Sequence, residues 1–584
     1  MNHATKLSNY NRYPVIQVQG GNHLALSGWN NIAQELKACT QHNKKSVIVI
    51  DCYPGVRYNE LLNGLSTIQF ENTICSDDCA VSEQELDALL EDTLTDDRVF
   101  GVMTTKFLSD YFINEKLEAA RKKIDAVKKG VVLVYGVGAT LITEGDILIY
   151  ADLSRWEIQL RYRAGMSNWH THNEKAEILS KYKRGFFAEW RWADKHKKTL
   201  FDRIDYFLDT NKTEKPVLVS GEGVRQALRQ SAKQPFRTVP YFDPGVWGGQ
   251  WMKRVCGLDQ DAPNFAWSFD GVPEENSLLL QFGETVLELP AMDLVLYCPR
   301  HLLGDRVHAR FGTEFPIRFD LLDTMGGQNL SLQVHPLTEY IQEQFNMRYT
   351  QDESYYILNA EDDACVYLGV KTNVDKDAML SDLERAQHGE CDFPAEKYVN
   401  NFPIKKHDHV LIPAGTVHCS GTGTMVLEVS ATPYIFTFKL WDWSRLGLDG
   451  KPRPVHLKHG AANIQWERDT EWVQKHLLHQ EVVLDEKEGI KTEYTGLHER
   501  EFLETHRFTF DRPMQVPDNG SVRMLNLVEG EQVVITSLDN AFAPFQVHYA
   551  ETFILPEAAK RCIITPDGPS QGKSVKVLMA YVRG

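Results

Sequence analysis

Four side chains in the middle of the chain have the types and spacing of a metal site. In N-L-S-L-Q-V-H-P (329–336), Leu330, Leu332 and Val334 alternate with Ser331, Gln333 and His335. That is the period-2 pattern of a strand, so Gln333 and His335 share one face. Downstream, T-Q-D-E-S-Y-Y-I-L-N-A (350–360) sets Glu353 at the head of a strand rich in aromatic and β-branched residues. H-V-L-I-P-A-G-T-V-H-C-S (409–420) gives a strand, a Pro-Ala-Gly turn, and His418 opening the next strand. Two imidazoles, one carboxylate and one amide oxygen make a mixed N/O set suited to a divalent first-row metal. Strands closing into a small barrel would aim these groups into its lumen. Spacing alone leaves another account open, with His335 a hydrogen-bonded core histidine and Glu353 a surface acid. Cys419, beside His418, alternates to the opposite face and is not counted as a ligand.

Other histidines fit the pattern less well. His407 and His409 in K-K-H-D-H-V (405–410) form an i, i+2 pair in a charged, turn-proximal stretch, read as an exposed loop. His548 in F-Q-V-H-Y-A is followed too closely by A-E-T-F to repeat the first spacing, so the C-terminal region is expected to be metal-free.

The elements that must carry these groups divide the chain in three. Residues 1–232 alternate short apolar runs with helical stretches, the mark of an open α/β sheet. K-S-V-I-V-I-D-C-Y-P-G (45–55), R-V-F-G-V-M (98–103), V-V-L-V-Y-G-V-G-A (131–139) and D-I-L-I-Y-A-D (146–152) read as strands, and Glu83–Leu94 and Asn114–Lys129 as helices. D-C-Y-P-G-V-R-Y (51–58) stands where a phosphate loop would follow the first strand, and residues 146–163 resemble the late sheet of uridine-kinase-like P-loop enzymes. The G-x-x-x-x-G-K-[S/T] signature is absent, so this is read as a degenerate P-loop-kinase-like module with a structural or regulatory role. Arg155, Arg161 and Arg163 are expected to be a solvated helix face that could cup an anion. A Pro/Gly-rich break at 233–250 opens a region of short strands to 465, with a helical insertion at about 375–401. A charged stretch then leads into a second β-rich region, 466–584. The fold class is therefore multidomain α+β.

Composition excludes several functions. A net charge of -17 argues against binding a nucleic-acid backbone, and no apolar run approaches membrane-spanning length. The opening ten residues lack the apolar core of a signal peptide, which points to the cytoplasm. The ten cysteines include no C-x-x-C and read as free thiols.

Q-V-H-P (333–336), D-E-S-Y-Y-I-L-N-A (352–360), I-P-A-G-T-V-H (412–418) and W-D-W-S-R-L-G-L-D-G-K-P-R (441–453) together resemble the type I mannose-6-phosphate isomerases, in the short bacterial form of that cupin family. P-G-V-W-G-G (244–249) resembles the family's opening segment, and V-E-G-E-Q (528–532) with E-T-F-I-L-P (551–556) resemble its second cupin. The resemblance implies two jelly-roll cupin domains. It implies one zinc ion per chain on Gln333, His335, Glu353 and His418, and a catalytic cation shortly after the last ligand. That position holds Lys439 where the family has Arg, and Gln351 stands where a Lys commonly precedes the ligand Glu. Lys does not reproduce the planar fork of Arg. The implied reaction interconverts mannose 6-phosphate and fructose 6-phosphate through an ene-diol. Arg445, Lys405 and Lys406 are positional candidates for the phosphate; the C1/C2 base is not identified, and oligomeric state is open. Two other functions stand beside this one: an iron-dependent cupin oxygenase using His335, Glu353 and His418, and a non-catalytic sugar-phosphate sensor.

Overall fold

A computed structural model describes residues 8–21, 24–431, 436–447, 450, 453–496 and 498–584. Most of the opening segment read for a signal peptide, and positions 448–449 and 451–452 of the W-D-W-S-R motif, lie outside the described residues. The chain forms two compact units: Val15–Ser231 with Ser277–Cys298, and the segment ending at Pro14 with Ala232–Asn276 and Pro299–Gly584. Ser277–Cys298 thus joins the N-terminal unit although it falls within 233–465 in sequence.

The N-terminal unit is built on a seven-stranded sheet. Lys45–Cys52 lies at its centre between Gly130–Gly136 and Ile147–Asp152, with Phe70–Cys75 and Tyr206–Asp209 outside them, all five parallel. The central strand is an unbroken apolar run because helices cover both faces of a parallel sheet. The helix Glu83–Leu94 matches its sequence expectation and starts on a capping box made by Ser82 and Glu85. R-V-F-G-V-M is not a strand: its backbone bonds elsewhere, Val102 N–H donating to Thr93 O and Thr104 N–H to Phe187 O. The fifth parallel strand is Phe70–Cys75 instead.

The second unit holds two pairs of antiparallel sheets. In the first pair, a six-stranded sheet runs His409–Ile412, Glu353–Ala360, Thr424–Ser430, Arg318–Asp323, Trp267–Gly271, Tyr241–Asp243. Its five-stranded partner runs Val399–Pro403, Cys365–Val370, His418–Ser420, Leu332–Val334, Phe438–Trp441. The helices Lys376–Gln387 and Ala395–Tyr398 interrupt this pattern between Val370 and Val399. In the C-terminal pair, side chains such as Phe508, Leu525, Ile535, Phe553 and Met579 fill the space between the sheets with an apolar core.

Candidate active site

Register explains why Gln333 and His418 meet. Gln333 pairs with His418 on one side and with Lys439 on the other, so three polar side chains stand in a row across neighbouring strands. Leu332 and Val334 are fully buried on the other face. The turn before His418 is clamped from three directions. Asp352 Oδ1 accepts from Ala414 N–H at 2.8 Å, Gly415 N–H donates to His335 O at 2.9 Å, and Arg468 donates to Pro413 O and Ala414 O. Gly415 has φ of +89°, which a side-chain-bearing residue would adopt only under strain.

Glu353 projects from the facing sheet between the two histidines. Its carboxylate oxygens lie 3.0 Å from His335 Nε2 and 2.8 Å from His418 Nε2, and all three side chains are fully buried. Each imidazole donates its other ring nitrogen to a backbone carbonyl, His335 Nδ1 to Phe436 O at 2.8 Å and His418 Nδ1 to Thr416 O at 2.9 Å. That fixes the tautomer whose Nε2 lone pair points inward, the arrangement that orients metal-bound histidines. His335 Nε2 and Glu353 Oε1 make no hydrogen bond despite complete burial. Unsatisfied electron-pair donors converging on one point fit a cation better than a core histidine. His335, Glu353 and His418 form the one cluster of potential metal-ligating His, Cys, Asp or Glu side chains among the described residues. Gln333 stands beside it, its amide 3.2 Å from His418 Nε2. Burial opposes ionisation of Glu353, but the facing imidazoles outweigh it and hold the carboxyl well below its ordinary range.

Next to the cluster lies a cavity of about 160 Å³, lined among others by Gln333, Lys439, Arg318, Asp320, Gln351 and Glu428. Lys439 is brought to the wall of this cavity through its register with Gln333. Trp247 and Trp267, packed edge-to-face with centroids 4.7 Å apart, form the apolar part of the wall. Gln351 occupies the junction: its Nε2 donates to Glu353 at 3.0 Å and reaches Glu428 at 3.5 Å, while its Oε1 accepts from Phe436 N–H.

The phosphate candidates are placed differently. Arg445 pairs with Asp442 and donates to Asn329 O, a bracing role for the strand end. Lys406 pairs with Glu529, and Lys405 is exposed; neither lines the cavity. Arg453, paired with Asp442 at 2.8 Å, does line it. His409 is not on an exposed loop: it is 1% exposed in a strand, with Nε2 2.9 Å from Ser354 Oγ. His407 is part-buried between Tyr356 and Glu529. Tertiary packing of the C-terminal sheets against this charged stretch overrides its local character.

In the N-terminal unit the strand ends are filled by its own side chains. Arg155 and Arg161 are 3% and 1% exposed rather than solvated. Arg155 pairs with Asp194, and Arg161 donates to Glu157 and to the carbonyls of Gly55 and Thr210. Lys197 is buried between Asp152 and Asp293, 2.7 Å from each.

Sequence reasoning missed Arg318, Asp320, Glu428 and Arg453 as cavity residues. The signal was present: R-F-D-L-L-D (318–323) and M-V-L-E-V-S (425–430) set charged residues into strands otherwise suited to a core, as Q-V-H does.

The chain is similar to known proteins. Mannose-6-phosphate isomerase ManA of Bacillus subtilis is 26% identical over 307 residues, 52% of this chain and 88% of ManA. The mannose-6-phosphate isomerase of Streptococcus mutans is 24% identical over 215 residues, 36% of this chain and 62% of that protein. The crystal structure of the Bacillus subtilis mannose 6-phosphate isomerase superposes with a TM-score of 0.48 at 18% identity, covering 60% of this chain and 99% of that one. A family model described as "Domain of unknown function (DUF8485)" matches residues 28–233. The chain thus has homologues named mannose-6-phosphate isomerase and is longer than they are, with a further region.

Proposed function

We propose that this protein is a zinc-dependent aldose–ketose isomerase interconverting mannose 6-phosphate and fructose 6-phosphate through an ene-diol. The observation that carries this reading is the convergence of His335, Glu353 and His418 Nε2 and carboxylate atoms beside a cavity walled by charged groups. The similarity to ManA supports the substrate. His335, Glu353, His418 and Gln333 would hold the zinc. When bound, zinc would polarise a substrate carbonyl and stabilise negative charge on an ene-diolate oxygen. Lys439, on the cavity wall, would stabilise that charge with its ammonium. Arg453 supplies a guanidinium group to the same wall for a phosphate.

The same reading places the protein in the cytoplasm, acting on a small-molecule sugar phosphate without nucleic acid or membrane. No helix among the described residues is long and apolar enough to cross a membrane. We read the N-terminal unit as a degenerate kinase-like module with a structural role, which the filled strand ends around Lys197 support. In the division of the chain, 1–232 is this module, 233–465 the metal-binding cupin and 466–584 a second cupin without metal.

The test is turnover of mannose 6-phosphate by the zinc-loaded protein. Formation of fructose 6-phosphate is expected. Bound iron with oxygen consumption and no isomerisation would establish the cupin oxygenase instead. Sugar-phosphate binding without turnover by zinc-replete protein would establish the sensor.

A further inference from the structure

The reaction proposed above needs a base at carbon, and the metal cluster does not supply one. Glu353 is committed to the two imidazoles. Two other carboxyls face the cavity: Asp320 and Glu428, directly opposite one another on neighbouring antiparallel strands. Such opposed side chains have Cβ atoms about 4.5–5.5 Å apart. Their surroundings differ. Asp320 is held by Arg318, whose Nε donates to Oδ2 at 2.5 Å, while Asp320 Oδ1 is buried and makes no hydrogen bond. The guanidinium therefore fixes the carboxylate on the cavity wall and leaves its other oxygen without a protein partner. Arg318 also lowers the carboxyl of Glu428 through its charge, but the direct hydrogen bond from its Nε goes to Asp320; Glu428 receives only a long 3.5 Å contact from the Gln351 amide and lies beside Ser430. Two carboxylates this close, both 7% exposed or less, do not ionise together, and the one hydrogen-bonded by the arginine keeps the charge.

We propose that Asp320 is the base that moves the proton between C1 and C2, with Glu428 its protonated partner for the substrate oxygens. The inference rests on the isomerase reading and names the residues that reading leaves open. From the aldose, Asp320 Oδ1 takes the C2 proton. The C2–H electrons form the C1=C2 bond, and the carbonyl oxygen O1 receives the proton of Glu428. In the return step the ionised Glu428 takes the O2 proton, the electrons of that bond form C2=O, and the double-bond pair takes the Asp320 proton at C1. Both carboxyls end as they began, and one hydrogen has moved from C2 to C1 and one from O2 to O1. Asp320 lies among strands where apolar side chains would pack, and burial, set against the pull of Arg318, raises its carboxyl to about 6. A base poised near the working pH is the efficient kind.

The experiment compares the full-length, zinc-loaded wild type with Asp320→Asn, Asp320→Glu and Arg318→Lys. It follows isomerisation of mannose 6-phosphate and exchange of the C2 hydrogen in deuterated water. Asp320→Asn is expected to lower kcat by about 10²–10⁴-fold with little change in KM, and to lose C2 exchange in the same proportion. Asp320→Glu, which restores a carboxylate, should recover part of both. Arg318→Lys, which keeps a cation beside Asp320, should lose less than Asp320→Asn. Zinc content and melting temperature of each variant show whether a loss reflects folding. A folded, zinc-loaded Asp320→Asn that retains kcat and C2 exchange overturns the assignment of Asp320. A wild type without isomerase activity overturns the isomerase reading instead, so the two failures are distinguishable.

Discussion

Gln333 and Lys439 are register partners on adjacent antiparallel strands, one beside the candidate metal ligands and the other on the cavity wall. This pairing links two features that lie more than a hundred residues apart in sequence. It makes the position of the Lys439 ammonium depend on the same strand that carries the ligands. A shift of that strand by one residue would turn Gln333 and His335 out of the interior.

The ligand set is testable by metal content. His335→Ala and His418→Ala are each expected to abolish stoichiometric zinc, measured by elemental analysis after gel filtration. Gln333→Ala should weaken binding with less loss, because an amide is the poorest donor of the four. Removing zinc from the wild type with a chelator should lower the melting temperature, since a ligand bound only by the folded state stabilises it.

Lys439 has a distinct signature. Lys439→Ala should keep bound zinc and reduce kcat by about 10²–10³-fold, the cost of removing one electrostatic stabiliser of a developing oxyanion. Lys439→Arg should restore part of the rate, because the charge returns with altered geometry.

His409 predicts a pH-dependent stability. Burial first, then the charge of Arg507, pushes its pKa down to about 3. The unfolded chain binds a proton near its ordinary value of about 6.5, so below that pH the unfolded state holds more protons than the folded one. Stability contributed by neutral His409 is full above about 6.5 and falls as pH drops toward 3, by up to about 1.4 kcal/mol per unit. Urea unfolding of His409→Gln, measured at pH 7 and at pH 5, should show a smaller difference between the two than the wild type.

Lys197 carries two buried carboxylates. Lys197→Met would leave Asp152 and Asp293 facing each other without a cation, and is expected to cost about 3–5 kcal/mol of stability in denaturant titration. Pairing that change with Asp152→Asn and Asp293→Asn should recover much of the loss, because the uncompensated charge is then gone.

The parts that were legible from sequence share a cause. The strand carrying Gln333 and His335 announces itself by alternation, and Glu353 and His418 each open a strand directly after a turn. Asp320 and Glu428 give the same kind of signal but have no nearby second ligand to draw attention to them. They matter only because antiparallel pairing sets them opposite one another. Arg155 and Arg161 mislead because guanidinium groups are solvated on most helices. Here backbone carbonyls and acids from distant segments receive them, and no local pattern encodes that. Phe70–Cys75 pairs on one side only as the outer strand of its sheet, so F-E-N-T-I-C never shows the apolar run of its inner neighbours.

The most direct test of the account is the interconversion of mannose 6-phosphate and fructose 6-phosphate by the zinc-loaded chain, run beside His335→Ala under the same conditions. The account predicts turnover that depends on added zinc in the wild type and is lost in His335→Ala. A zinc-replete, folded wild type that does not turn over mannose 6-phosphate, or a His335→Ala variant as active as the wild type, would contradict it.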